Sequence, residues 1–529
     1  MDLKNNRLIL LLTPPTESHR TAEENLGLGY LATALRNHAF RVIIKDCWLQ
    51  KISIASILEL VKEELDDLLF IGISCYRSNI ASTFNLAREI KSINHSINII
   101  VGGFGPTFYV DDFISNVNID IVVKGEAEET VLQIANNLQT NNINGLKDVH
   151  GITYKEDGII KHNIHRKHVS NIDTISFPSR DTIEDVLRRK STVNVLSSRG
   201  CMASCIFCSI IAFQKLGNNE KWRERSISNF VDEIEFLHRN YNVNFFKVID
   251  DSLIEFPRDV EWCKSLSYEL ERRSLSVNFR GSVRADRVSD EILYYLRKAG
   301  FISFSCGIEN GSATALKRMG KSASVADNIM ALKLFEKHKI FVQAGMILFD
   351  DKTTLQELWD NYNFLNTYKW SITKGIFTEM FAAEGTPFTL KLKKNKNLVS
   401  EATLRNGNST YKMENSLIEN VYSALKFWHK SHAFIYDMVI DPLSAPKALL
   451  FEELMCFYEV YSVLREKDLE FFKLILDNVT SMNNDELMRI TKKMIFESEI
   501  FYAKVTSDCK HLYEKFQLVY DAQENPFIC

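Results

Sequence analysis

Long apolar runs are missing from this 529-residue chain. No stretch reaches the about 18 apolar residues that a spanning helix needs, so no membrane-crossing segment is expected. The aliphatic run Leu8–Leu12 falls short of the roughly 7–15 residues of a secretory signal's apolar region and ends at Thr13-Pro14-Pro15. A strong charge bias is missing too. A net charge of −4 is not the basic surface of a dedicated nucleic-acid binder, so no nucleic-acid partner is expected. There are no low-complexity tracts and no short-period repeats. With 45% hydrophobic residues the chain can bury sizeable cores, and its length suits about three domains. No second C-x2-C exists, and no histidine lies between Ser198 and Gln214 to complete a zinc site.

What is present is a cysteine triplet. Cys201, Cys205 and Cys208 sit in Ser-Ser-Arg-Gly-Cys-Met-Ala-Ser-Cys-Ile-Phe-Cys, a C-x3-C-x2-C spacing. Three thiolates this close can hold three corners of a [4Fe–4S] cluster. Such clusters normally take four, so one iron would stay open to a small molecule. On spacing alone, zinc and a chance grouping compete with this reading. The other seven of the ten cysteines are scattered and read as small buried hydrophobes. Free thiols and an oxygen-sensitive cluster both suit a reducing cytoplasm, which is the expected location.

Upstream, strand candidates at Leu8–Leu12, Val42–Lys45, Leu69–Ser74, Ile97–Val101 and Ile121–Val123 alternate with amphipathic helices at Leu28–Asn37, Ile54–Leu65 and Ile80–Ile90. That alternation predicts a parallel, doubly wound (flavodoxin-like) α/β sheet over 1–140. Ligands bind such sheets beyond the strands' carboxyl ends. Those ends carry Thr13, Leu28 and Gly29, then Ser74, Tyr76 and Arg77, then Gly102, Gly103 and Phe104, and finally Gly125 and Glu126. A dinucleotide site is the competing reading, but Gly27-x-Gly29 lacks the third glycine and lies well past its strand.

Residues 141–190 read as a linker with a small hairpin around Glu156-Asp157-Gly158. Strand–helix alternation resumes over 191–395, with strands at Val193–Leu196, Phe245–Ile249, Val277–Arg280, Ile302–Gly307, Val342–Leu348 and Ile372–Thr378. Six units predict a partial (β/α)6 barrel, with chemistry at the carboxyl ends of its strands. The cysteine loop follows the first strand, Asp250 and Asp251 the second, Arg284 the third and Glu309 the fourth. As bland alternatives, the acidic residues read as helix caps and Lys221-Trp222-Arg223-Glu224-Arg225 as a solvated turn. Residues 396–529 are helical and aromatic-rich and read as mostly core.

The triplet, with Phe207 just before its third cysteine, resembles the signature of the radical S-adenosylmethionine (SAM) enzymes. The Leu-Gly-Leu-Gly-Tyr, Gly-Gly-Phe-Gly-Pro-Thr and Lys-Gly-Glu-Ala-Glu runs resemble the cobalamin-binding domain that precedes many of them. The resemblance implies three cofactors: a [4Fe–4S] cluster on Cys201, Cys205 and Cys208, SAM and cobalamin. It implies SAM contacts from Phe207, Asp250, Asp251, Arg284 and Glu309, and cobalamin contacts from the eleven N-terminal residues named above. The D-x-H-x-x-G motif that supplies a cobalt-ligating histidine is missing, and neither His19 nor His38 has its context. The Gly-Gly-Glu of the second strand end and the Gly-Leu-Pro-Gly-Glu of the fifth are also replaced, the latter by Leu348-Phe349-Asp350-Asp351-Lys352. The implied activity is C-methylation of a small molecule or peptide through a 5′-deoxyadenosyl radical, with flavodoxin or ferredoxin as electron donor. Other radical rearrangements, and a non-catalytic cobalamin sensor or carrier, are the alternatives.

Overall fold

The computed structural model describes residues 7–15, 23–217, 221–400, 410–444 and 449–518. His19 and Cys529 lie outside them. The chain divides into two compact units. The first holds Met1–Asn194 with Ser209–Glu224; the second holds Val195–Cys208, Arg225–Ser400 and Thr410–Cys529.

The first unit is built on a seven-stranded sheet ordered β2-β1-β3-β4-β5-β6-β7. Its strands are β1 Leu8–Thr13, β2 Arg41–Asp46, β3 Leu68–Ser74, β4 Asn98–Gly102, β5 Ile121–Val123, β6 Ile152–Glu156 and β7 Ile159–His162. β1 to β5 pair in parallel, in the doubly wound order expected. Alternate residues of β1 serve opposite faces, as a strand's period of two requires. Leu8, Leu10 and Leu12 pack with Ile57, Val61, Leu86 and Ile90, from α2 (Ile54–Glu63) and α3 (Ile80–Ile93). Ile9 and Leu11 pack with Leu28, Ala32, Leu35, Val131 and Ile134, from α1 (Leu26–Arg36) and α4 (Glu128–Gln139). A sheet buried on both faces explains why these strands read as unbroken aliphatic runs.

The hairpin assigned to a linker is a correction. β6 pairs antiparallel with β5, and β7 with β6, so the hairpin extends the sheet. Its inward residues Ile152 and Tyr154 are buried while Ile159 and Ile160 are exposed, as suits an edge strand.

The second unit carries a six-stranded sheet in sequential order. With β8 Val193–Val195, β9 Phe245–Val248, β10 Asn278–Arg284, β11 Phe301–Glu309, β12 Phe341–Met346 and β13 Ser371–Ile372, it runs β13-β12-β11-β10-β9-β8. β9 to β13 pair in parallel. The sixth strand is much shorter than expected. Consecutive order with intervening helices is the arrangement of a partial (β/α)6 barrel. Beyond it the chain is helical: α11 Ser416–Ser444, α12 Phe451–Asn478, α13 Asn484–Glu497 and α14 Glu499–Lys515, counting α5 to α10 as Ser209–Gln214, Ile227–Tyr241, Val260–Arg272, Asp290–Lys298, Val325–Lys337 and Leu355–Thr367. Many of its aromatics are core, as where Trp428 stacks on Phe471 at 4.0 Å with both fully buried, whereas Phe427, Phe434 and Phe496 are exposed. No described helix is long and apolar enough to cross a membrane.

Candidate active site

In the first unit the strands' carboxyl ends are tied together by polar side chains, of which Asp46 and Asn25 were missed in the sequence. Asp46, at the end of β2, accepts hydrogen bonds from Thr13 Oγ1 (3.0 Å) and the Asn25 N–H (2.8 Å). Asn25 caps α1 by accepting from the Leu28 N–H and donates to Ser74 Oγ at 3.2 Å. Burial raises the Asp46 carboxyl, and these donors oppose the shift. Three of the residues expected at the ligand also carry structure. Thr13 is fully buried against Asp46 and Leu28 lies in the core. A Cβ on Gly29 would meet the Ser179 carbonyl oxygen at 2.6 Å, so that glycine serves close packing.

The turns after β3, β4 and β5 are different. Cys75 is fully buried, and burial pushes its thiol up to about 12, so it faces the core as a neutral group. Its neighbour Tyr76 is 41% exposed. Tyr76 packs with Trp48 (centroids 5.5 Å) and stacks on Phe104 (6.3 Å), which stacks in turn on Phe213 (5.0 Å). Gly103 has φ +103°, and a Cβ there would meet the Cys75 carbonyl oxygen at 2.6 Å. Gly125 has φ +77° with nothing within 4 Å of the Cβ position, an open cradle at the sheet end. A row of aromatic faces beside an open glycine turn suits a flat, bulky cofactor. Glu126 is committed elsewhere: Arg223 donates two hydrogen bonds to its carboxylate, at 2.5 and 3.0 Å.

In the second unit the cysteine loop leaves β8. None of Cys201, Cys205 and Cys208 is tied up in a disulfide. The loop is pinned from two sides: Ile206 N–H donates to the Met319 carbonyl (3.0 Å), and Phe388 N–H donates to the Ile206 carbonyl (3.0 Å). Phe207 packs on the core formed by Met319, Met380 and Phe388. Among the described residues no three His, Cys, Asp or Glu side chains close on a single ion. Zinc, with sulfur ligands at about 2.3 Å, would ask for that convergence; a cluster with one thiolate on each iron does not.

Around the thiols lies a charge network. Glu255, fully buried and missed in the sequence, accepts from Cys201 Sγ and the Met202 N–H, both at 3.4 Å. Arg284 donates to Glu255 (3.1 Å) and to both oxygens of Asp286 (3.0 and 2.5 Å). Desolvation works against its charge, but those carboxylates outweigh it and hold Arg284 ionised. Its donors are thus largely occupied by these two carboxylates. Glu309 ends β11 with φ +63° and accepts from Lys321 Nζ at 3.0 Å. Burial lowers the Lys321 pKa, yet Glu309 and Cys205 more than offset that, and it stays charged.

The two aspartates after β9 separate cleanly. Asp250 accepts from the Ser197 N–H (2.7 Å), Ser197 Oγ (2.5 Å) and Ser198 Oγ (2.6 Å), with the Arg258 guanidinium 3.6 Å away. Both members of that ion pair are fully buried, so Asp250 anchors the loop's root. Asp251 opens to solvent from deep within the protein mass and accepts from the Gly200 N–H at 3.0 Å. Desolvation, with Asp250 beside it, raises its carboxyl to about 6. The segment read as a solvated turn is buried at both arginines, Arg223 on Glu126 and Arg225 on Glu233.

Residues 17–135 match the B12 binding domain model, and residues 195–365 match the radical SAM superfamily model. The chain carries a B12-binding domain followed by a radical SAM domain. It is 27% identical over 356 residues to the uncharacterized methyltransferase PH0819 of Pyrococcus horikoshii, covering 65% of this chain and 75% of that protein. It is 26% identical over 401 residues to the anaerobic magnesium-protoporphyrin IX monomethyl ester cyclase of Synechocystis, covering 70% and 77%. The fold matches the cobalamin-dependent SAM radical enzyme OxsB, solved with aqua-cobalamin and SAM, with a TM-score of 0.76 at 20% identity over 97% of this chain and 80% of that one.

Proposed function

We propose that the enzyme transfers a methyl group to an unactivated carbon of a small molecule or peptide. The observation that carries this is the pinned cysteine triplet in a radical SAM domain joined to a B12-binding domain with an open glycine cradle. The methyltransferase name of the Pyrococcus relative supports the reaction type. When bound, the three cofactors supply an electron, a carbon-centred radical and a methyl donor.

The chain's own residues bind, orient and exclude water. Cys201, Cys205 and Cys208 would hold three irons. Lys321 and Arg284 would offset the thiolates' negative charge in this buried setting, and Phe207 keeps the loop in place. Asp251, the solvent-reached member of its pair, would accept the SAM amino group in a charge-assisted bond. Glu309, steadied by Lys321, would take ribose hydroxyls. Tyr76, Arg77, Gly102, Gly103, Phe104 and Gly125, with Ser74 behind them, would cradle cobalamin, with Tyr76 and not Cys75 exposed at that turn. Flavodoxin or ferredoxin would supply the electron.

The test is anaerobic reconstitution with iron, sulfide and cobalamin, followed by turnover with methyl-deuterated SAM. Appearance of 5′-deoxyadenosine with a deuterated methyl group in the product supports the proposal. Cleavage of SAM with an unchanged carbon count in the product favours the second reading, a non-methylating radical reaction, to which the cyclase relative points.

A further inference from the structure

The segment immediately after the third cysteine folds into the B12-binding unit. Cys208 closes one stretch of the second unit, and Ser209–Glu224 belongs to the first. Its described residues grip the first unit at three places. Phe213, on α5, stacks on Phe104 at 5.0 Å, just beyond the Gly103 turn. Gly217 lies so close to His168 that a Cβ would fall 2.7 Å from the ring. Arg223 closes on Glu126, next to the open Gly125 turn, and also donates to the Val169 carbonyl at 2.7 Å. The Arg223 and Glu126 side chains are only 6% and 12% exposed, so water screens the pair weakly.

Two of these grips fall on the β4 and β5 turns, the loops that a ligand at the sheet end must meet. Four residues separate Cys208 from Phe213, too few to absorb a shift of the cysteine loop without moving Phe213 or straining α5. We propose that Arg223 and Phe213 are positioning residues that couple the two cofactor sites. Ordering the cysteine loop around its cluster steadies the turns that take cobalamin, and by linkage cobalamin steadies the cluster to the same degree. This rests on the cofactor assignment proposed above.

The experiment measures the affinity of the whole chain for aquacobalamin by corrin absorbance, before and after anaerobic cluster reconstitution, together with iron loss to a chelator with and without aquacobalamin. The expected wild-type result is an affinity gain of about fivefold or more on reconstitution, and greater iron retention against the chelator when aquacobalamin is bound. In Arg223→Gln both effects should fall within about twofold, while the charge-exchanged pair Glu126→Arg with Arg223→Glu should regain part of the coupling, a rescue that general destabilisation would not give. Phe213→Leu, milder in volume, serves if Arg223→Gln does not fold. If wild type binds no cobalamin or builds no cluster, the cofactor assignment fails. If both bind but reconstitution changes neither affinity nor iron retention, or Arg223→Gln and Phe213→Leu leave the coupling intact, the inference is overturned.

Discussion

Lys321 Nζ lies 3.0 Å from the Glu309 carboxylate in space that Gly307 leaves free, since a Cβ on Gly307 would meet both groups at 2.6 Å. A strand-end glycine thus makes room for an ion pair beside Cys205, and the pair keeps Lys321 charged where burial alone would favour its neutral form. Gly307→Ala should displace two flexible side-chain ends and no backbone. The expected outcome is a folding loss of no more than about 1 kcal/mol, measured by urea unfolding, with a several-fold weaker SAM affinity in the reconstituted enzyme.

Cys205→Ala should abolish cluster iron and SAM cleavage while cobalamin still binds, with the weaker affinity of the cluster-free chain. Iron and sulfide content, measured beside corrin absorbance, checks both halves. Full iron content with continued cleavage would remove this thiol from the ligand set.

The two aspartates should respond differently. Asp250→Ala strands the fully buried Arg258 guanidinium and should cost about 3–5 kcal/mol in urea unfolding. Asp251→Asn, on a solvent-reached residue, should cost less than about 1 kcal/mol and weaken SAM binding instead. Equal stability losses would contradict the division of roles.

Gly125→Ala places a methyl group in open space and should cost about 1–2 kcal/mol for its left-handed backbone alone, together with a loss of cobalamin affinity. Gly103→Ala, whose Cβ meets backbone, should destabilise more. Unchanged cobalamin occupancy in Gly125→Ala would move the ligand away from that turn.

The helical C-terminal part should carry an acid-sensitive lock. Fully buried Asp468 lies 2.9 Å from His432 Nε2 and accepts from Trp428 Nε1 (2.8 Å) and the Tyr436 hydroxyl (2.7 Å). Burial opposes its ionisation, yet His432 and these donors hold its carboxyl below the usual range. A depressed carboxylate stabilises the fold above its unfolded pKa of about 3.9, and that contribution disappears as pH falls through the lower folded value. Melting temperatures should therefore drop more steeply below about pH 4 in wild type than in Asp468→Asn, which should itself lose about 3 kcal/mol or more at neutral pH. Parallel pH profiles would rule out this contribution.

Much of the architecture was legible because it is local. Aliphatic runs with period two and helices with period three to four placed the parallel strands to within a few residues, and the cysteine spacing stood out without any fold. The sixth barrel strand and the β6–β7 hairpin were misjudged because pairing partners, and not propensity, decide whether such short stretches join a sheet.

The chain's order of residues alone determined that three thiols share one loop, that glycines punctuate the strand ends and that two α/β regions precede a helical one. These are properties of spacing and pattern, which need no distant contact. Tertiary structure decided which like residues do which work. Asp250 is an anchor and Asp251 an open carboxylate; Cys75 is core and Tyr76 is presented; Glu126 is taken by Arg223, and Glu255 stands against Cys201. Burial and ion pairing depend on partners far away in sequence, so no local pattern could have told these neighbours apart.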